Sequence, residues 1–428
     1  MTGIDILMVV LRVAFAIFVP LTFIVIFVWM ERRGASFIQD RIGPNRANVG
    51  GFTLGGLVQP VADAVKLIFK EDLTPSHIKN KIYFMVAPAL VFCVALLTFA
   101  VIPFADDITI GETTYMMQGI PTDVGILWFL GIAGFAVYGI IIAGWSSHNK
   151  FSMLGGLRAT AQVVSFEIPL ALSVIALLGV YGSIHLGDMV RYQGELLWGF
   201  IPAWGIILQP VGFVLFFITA VAEANRTPFD IAEGESEVVA GYFTEYSSMK
   251  FALFFMGEYV AMFVSSAIIV TLYLGGYHIP WLNTETLREN ATLVAQSLLV
   301  LVPLFFGMFI LWMRKNSRCH YDRPNDPRVR EANVLTVVFI ALAIVIDLVL
   351  LLALSGGLGE MGAQILTMII QIVVFIMKVF LVGFLYVWIR WTLPRFRYDT
   401  LQMLCWKVLL PIALVNILVT AVVVLSLQ

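Results

Sequence analysis

A chain of 428 residues that is 60% hydrophobic and 13% charged, with a mean hydropathy of +0.93, is too apolar to be a set of soluble domains. Its net charge of −2 gives no electrostatic basis for binding nucleic acid. Cys93, Cys319 and Cys405 are scattered without CxxC spacing, so neither a zinc site, an iron–sulfur cluster nor a disulfide framework is indicated, and no metal or cofactor is expected in this chain.

A membrane span needs about 20 mostly apolar residues. Ten such runs occur, at 4–30, 82–104, 124–143, 163–182, 200–221, 251–275, 293–313, 334–354, 364–389 and 405–427. They are too long and continuous for the alternating strands of a barrel. The expected fold class is therefore all-α: a polytopic, multi-pass integral membrane protein of about ten transmembrane helices, organised as a single membrane domain over 1–428.

The first run has no Lys or Arg before it, other than Arg12 within it, and ends in Glu31-Arg32-Arg33. It is expected to be an anchor with its N-terminus outside rather than a cleaved signal. Alternating the spans from there puts 22 of the 26 Lys and Arg residues in the inner segments 31–81, 144–162, 223–250, 314–333 and 390–407, and both termini outside. The outer loops near 105–123 and 183–199 are short and carry few charges, so function is expected on the inner face.

Inner segment 31–81 carries Gly-Pro-Asn and Gly-Gly turns, then VQPVADAVKLIFKED. There Asp63, Lys66 and Lys70 fall on one helical face with apolar residues opposite. This is either an amphipathic helix on the membrane surface or a helix lining a site. Further along, Glu167 lies just inside the fourth span, followed by Pro169, and Glu258 lies within the sixth. Acids at such depth cost about 2.5–3.5 kcal/mol on insertion scales and are usually functional. Asp347 and Lys378 are similar cases, and an ion pair between them is one option.

The stretch 222–246, most of the inner segment 223–250, concentrates acid: Glu223, Asp230, Glu233, Glu235, Glu237 and Glu245 share one internal cation, Arg226. Asp230, Glu233 and Glu237 would lie on one helical face, where like charges and partial burial raise carboxyl pKa values, as a proton relay requires. A solvated acidic loop or a divalent-cation site are the alternatives. The interleaved Phe229, Ile231, Val238, Val239, Tyr242 and Phe243 favour a loop folded into a cavity. SGGLGEMG contains GxGxxG at Gly357, Gly359 and Gly362, but between two spans it is expected to be a turn, since the dinucleotide motif needs a strand before it and a helix after it. The stretch WIRWTLPRFRYDTL sets Arg390, Arg395 and Arg397 among Trp388, Trp391, Phe396 and Tyr398. It fits an interfacial anchor, the mouth of a site for an amphiphile, or a docking surface.

ERRGASFIQDRIGPNRANVGG at 31–51, LRATAQVVSFEIPLAL at 157–172, EANRTPFDIAEGESEVVAGYFTEYSSMKFALFFMGEY at 223–259 and WIRWTLPRFRYDTLQMLCWKVLLPIAL at 388–414 together resemble the H subunit of respiratory complex I, the proton-pumping NADH-quinone oxidoreductase. The likeness covers nearly the whole chain in the family's order. It implies a membrane component that forms the inner part of a quinone chamber and couples quinone reduction to proton translocation. It implies no redox centre here: quinone is the substrate, and NADH, FMN and iron–sulfur clusters belong to partner subunits. Implied partners are the hydrophilic quinone-site subunits, small membrane subunits leading to antiporter-like subunits, and membrane lipid, in a bacterial inner membrane. By resemblance, Glu31, Arg32, Asp63, Arg226, Phe229 and Arg390 would serve the quinone chamber, and Glu167, Glu223, Asp230, Glu233, Glu235, Glu237 and Glu258 the proton path. The family commonly has eight spans, so 290–357 reads as an inserted pair of helices, expected to serve assembly or lipid contact rather than quinone chemistry. The equivalent subunit of a membrane-bound hydrogenase, and less so an independent secondary transporter, are alternatives. No internal repeat of the kind transporters show is found.

Overall fold

The computed structural model describes residues 3–232, 234, 237, 239–320 and 327–427, with the backbone alone at 316–320, 327–329 and 427. In chain order the helices are α1 (Gly3–Ile38), α2 (Val58–Phe69), α3 (Lys81–Phe99), α4 (Gly125–Gly134) continuing as α5 (Ala136–Ser146), α6 (Lys150–Tyr181), α7 (Leu186–Gln193), α8 (Gly205–Leu208), α9 (Pro210–Glu223), α10 (Ser248–Tyr273), α11 (Thr284–Glu289), α12 (Ala291–His320), α13 (Pro327–Ser355), α14 (Glu360–Thr392), α15 (Tyr398–Met403) and α16 (Leu410–Leu427). Two small hairpins, Ile108–Ile110 with Thr113–Tyr115 and Leu196–Leu197 with Ile201–Pro202, are the strands among the described residues. The Gly357–Gly362 motif joins α13 to α14 with no strand beside it, so it is a turn.

Nine helices among the described residues are long and apolar enough to cross a membrane, one fewer than the ten apolar runs. The missing one is the run at 200–221, which breaks at Gln209 (φ −136°, ψ 64°) into α8 and α9. Pro210 disfavours helical geometry in the residue before it. The 14 residues of α9 reach only about 21 Å, short of the roughly 30 Å hydrocarbon core. The break is held by the last helix: the Gln209 amide donates to Thr420 Oγ1 (2.6 Å) and accepts from Asn416 (3.0 Å).

Helix α10 is the axis of the bundle, with α1, α3, α9 and α14 packed on it. Close approach comes from small residues, because a methyl group at Gly257 would touch Val91 at 3.0 Å. Phe263 fills the space between α1 and α3, 4.7 Å from Phe23 and 5.0 Å from Phe99 between ring centres. The pair α12 and α13 is peripheral, with large apolar side chains such as Leu311 (70% exposed) and Val337 (67%) turned outward, as lipid-facing residues are.

Lys378 does not pair with Asp347. Its Nζ donates to the backbone oxygens of Leu274 (2.7 Å), Gly276 (3.0 Å) and His278 (2.6 Å), closing the end of α10. At the same end, Arg191 grips Asp106 (3.2 Å) and Asp107 (2.6 Å). Burial works against the Asp106 carboxylate, but the Asp107 N–H and Arg191 together hold its pKa below the usual value.

Candidate functional site

The site is assembled by three helices and one loop at the end of the bundle opposite Lys378. Helix α1 continues past the apolar run to Ile38, so Glu31, Arg32 and Arg33 are helical rather than part of a loop. Glu31 faces inward and is 9% exposed. Its Oε1 lies 2.5 Å from Arg390 Nη1 on α14, and its Oε2 lies 3.5 Å from Arg226 Nη1 and accepts from the Tyr259 hydroxyl at 2.6 Å. Arg226 comes from the loop after α9; its guanidinium sits 4.0 Å from the centre of the Tyr259 ring, and its Nη2 lies 3.9 Å from Glu258 Oε2. The Tyr242 hydroxyl donates to Glu258 Oε1 at 3.2 Å. Two acids and two arginines thus interlock in a poorly hydrated place, each charge near an opposite one, which is the condition for retaining charge there.

Against this cluster opens a cavity of about 600 Å³, walled by Val28, Glu31, Arg32 and Ala35 of α1, Phe255 and Tyr259 of α10, Trp391 of α14, Gln59 of α2, and Arg41 and Gly43–Arg46 of the loop following α1. That volume lies within the range of pockets that hold small organic ligands. Arg32 at its edge pairs with Asp63 of α2 at 2.6 Å. Helix α2 therefore serves the site with one face while Val61, Val65, Ile68 and Phe69 on the other are exposed.

A second, smaller cavity of about 70 Å³ lies deeper, lined among others by Thr98, Glu223, Asn225 and Ser265. It is large enough for a few waters. Glu223 and Glu167 are near enough for their charges to repel. Glu167 is also more central than its apolar run implied, because α6 begins at Lys150; Asn149 caps that start by accepting from the Phe151 N–H at 2.9 Å. Gly134 makes room for the Glu167 carboxyl, since a methyl group there would lie 2.9 Å from its oxygen.

The acidic loop divides. Asp230 sits in a run of turns rather than on a helical face shared with Glu237, and its charge is felt at Glu258. Glu237 leaves the cluster to pair with Arg158 of α6, which, with burial opposing weakly, holds its pKa below the usual carboxylate value. Glu245 accepts from Asn149 at 2.7 Å. Glu233 and Glu235 lie outside the described residues. Phe229 is buried between Phe166 and Phe396, both at 5.6 Å, so it packs the loop against α6 and the segment after α14 rather than lining the large cavity.

The sequence pattern did not single out Tyr259, Arg41, Arg46 or Arg158, and marked Tyr242 only as an apolar neighbour of the acids and Arg33 only as the end of the first run. Tyr259 carried a signal, since it directly follows Glu258 and a tyrosine beside a buried acid is a ready donor. Partners such as Arg158 and Glu237 are distant in sequence and carried none.

The family profile described as NADH dehydrogenase matches residues 11–325 and 330–421. Among similar proteins, the H subunit of NADH-quinone oxidoreductase from Bdellovibrio bacteriovorus is 37% identical over 419 residues, covering 93% of this chain and 91% of its own. The H 1 subunit of the same oxidoreductase from Solibacter usitatus is 39% identical over 400 residues, covering 92% and 90%. The H 1 subunit from Cytophaga hutchinsonii is 35% identical over 392 residues, covering 92% and 89%. A match of this length, on a helical bundle with these spans, establishes that the chain belongs to the NADH dehydrogenase family, among the membrane H subunits of NADH-quinone oxidoreductase.

Proposed function

We propose that the cavity of about 600 Å³ is the membrane-side part of a quinone chamber, and that the Glu31, Arg226, Glu258 and Arg390 cluster couples quinone reduction there to proton movement through the bundle. The observation that carries this reading is the meeting of a ligand-sized, half-apolar cavity with an interlocked set of titratable groups on one wall. Reducing a quinone to a quinol takes up two electrons and two protons. The electrons come from NADH through FMN and iron–sulfur clusters in hydrophilic partner subunits. This chain supplies the chamber wall, the field that senses the charge on the head group, and acids that give or accept protons. Apolar Val28, Ala35, Phe255 and Trp391 suit a quinone ring and the start of its tail, while Arg32, Arg41 and Arg46 favour negative charge arriving on it.

In this proposal the chamber faces the inner side of a bacterial inner membrane, both termini face outward, and α2 rests on the membrane surface. The 223–250 segment connects the chamber to Glu223 and Glu167, and toward small membrane subunits that lead to antiporter-like ones.

Replacing Ala35 by Trp puts bulk into the cavity from a rigid helix. In assembled complex it should lower kcat/KM for a short-chain quinone by about ten-fold, or about 1.4 kcal/mol, while leaving the amount of complex in the membrane unchanged. Native kinetics in A35W would place quinone elsewhere.

A further inference from the structure

We propose that Glu331, in the first turns of α13, is a positioning residue for the wall of the large cavity, so that the outlying pair α12 and α13 acts on quinone binding; this rests on the chamber reading above. Glu331 is 5% exposed although the pair that carries it is largely uncovered. Its carboxylate reaches the loop between α1 and α2, where Oε2 accepts from the Thr53 hydroxyl at 2.8 Å and Oε1 accepts from the Leu54 N–H. These are long-range contacts, across 278 and 277 residues, and they fall where the loop is least able to hold itself.

Leu54 has φ +47°, a left-handed geometry that a branched side chain adopts at a cost, and Gly55 (+64°) and Gly56 (+98°) continue it. Such a run persists when surrounding contacts fix it. Two sets do so here. From one side, Arg33 of α1 donates to Gly55 O through Nη2 (2.7 Å) and Nε (3.1 Å), and to Ile42 O through Nη1 (2.5 Å), tying the two arms of the loop together; Trp29 Nε1 adds a bond to Gly55 O at 3.0 Å. From the other side there is Glu331. Gly56 in turn lies against Pro44, so closely that a methyl group on it would sit 2.5 Å from the Pro44 carbonyl oxygen. Pro44, Asn45 and Arg46 wall the cavity. A continuous set of contacts therefore runs from Glu331 through Thr53 and Leu54 to Gly56, Pro44 and the ligand space.

The pair α12 and α13 thus does more than face lipid. Losing Glu331 frees the outer end of the loop, and the cavity wall it carries becomes mobile, which weakens quinone binding before it affects the reducing step. Glutamine can largely replace it, because its oxygen still accepts from Leu54 and its amide donates to the Thr53 hydroxyl, which can turn to accept. Alanine replaces neither bond.

The test is quinone-reduction kinetics with a short-chain quinone in membranes containing the assembled complex. E331A should raise KM about ten-fold with kcat within about two-fold of native, T53V should raise KM about three-fold, and E331Q should stay near native. The double variant E331A/T53V should be no worse than E331A, because the two residues act through one contact. Native KM in E331A and T53V overturns the proposal, as does a fall in kcat with KM unmoved. If E331A fails to assemble, T53V decides, since it leaves the helix pair untouched: a raised KM supports the proposal and a native one overturns it. A35W separates the two levels. Altered kinetics in A35W with native kinetics in the Glu331 and Thr53 variants overturns this inference alone, whereas native kinetics in all of them overturns the chamber reading with it.

Discussion

Glu31→Ala should abolish most quinone reductase activity and much of the assembled complex. The Glu31 carboxylate stands between two guanidiniums, at 2.5 Å from Arg390 and 3.5 Å from Arg226, and takes the Tyr259 hydroxyl bond as well. Removing it takes from Arg226, 4% exposed, an acid at 3.5 Å, while Glu258 stays at 3.9 Å. Breaking a buried pair from one side costs about 3–5 kcal/mol. At about 1.4 kcal/mol per factor of ten this is a loss of about 10² to 4 × 10³ in the population that holds the native arrangement. The sign of the effect has a sharper check. Glu31→Gln alone leaves Arg390 facing a neutral amide, whereas Glu31→Gln with Arg390→Gln removes the pair as a whole, so the double variant should assemble better than the single one. Native electrophoresis of solubilised membranes gives the amount of intact complex, and donor-to-quinone electron transfer per complex gives its activity. Single variants that assemble and turn over like the parent would remove this cluster from both roles.

That cluster was hidden from spacing arguments for a physical reason. The apolar runs were legible because the cost of placing polar groups in hydrocarbon dominates where a helix can sit, and it acts residue by residue along the chain. Helix ends were less legible, since α1 and α6 continue as helices into water-compatible sequence where hydropathy is silent; Asn149, a capping residue type directly before the start of α6, was the available signal there. The acids of 223–250 are neighbours in sequence and were expected to act together. In the fold the charge of Asp230 acts on Glu258, Glu237 turns to Arg158, Glu245 turns to Asn149, and Glu223 lies in the field of Glu167. Meanwhile Glu31 and Arg390 come from the first and fourteenth helices, and only family likeness brought them into one list. Charge clustering in sequence is local, but pairing in a helical bundle is set by which faces pack.

The second large effect is expected at Glu258. Glu258→Gln keeps the shape of the side chain, and its oxygen can still accept from Tyr242, so the complex should assemble. What disappears is an acid set behind the wall of the large cavity, reached from Glu31 through Arg226. Ser265 lies seven residues further along α10, on the same face about 10 Å away, and borders the small cavity shared with Glu223 and Asn225. Waters in that space would reach Glu223 from the Ser265 end of this face, and Glu223 in turn meets the field of Glu167. Proton transfer by a positioned acid is worth about 10²- to 10⁴-fold, so Glu258→Gln should lower quinone reduction and proton translocation together by about 10²-fold at neutral pH. Ala261→Leu, which fills the small cavity and replaces no titratable group, should reproduce the loss in milder form if water is what connects the acids. Both quantities can be followed in the same vesicles, by quinone consumption and by the quenching of a pH-sensitive dye. If Glu258→Gln retains full turnover with full proton translocation, the acid carries no proton, and the path from the chamber must leave by another route; if Glu258→Gln fails while Ala261→Leu is native, the acid matters but the small cavity does not connect it to Glu223.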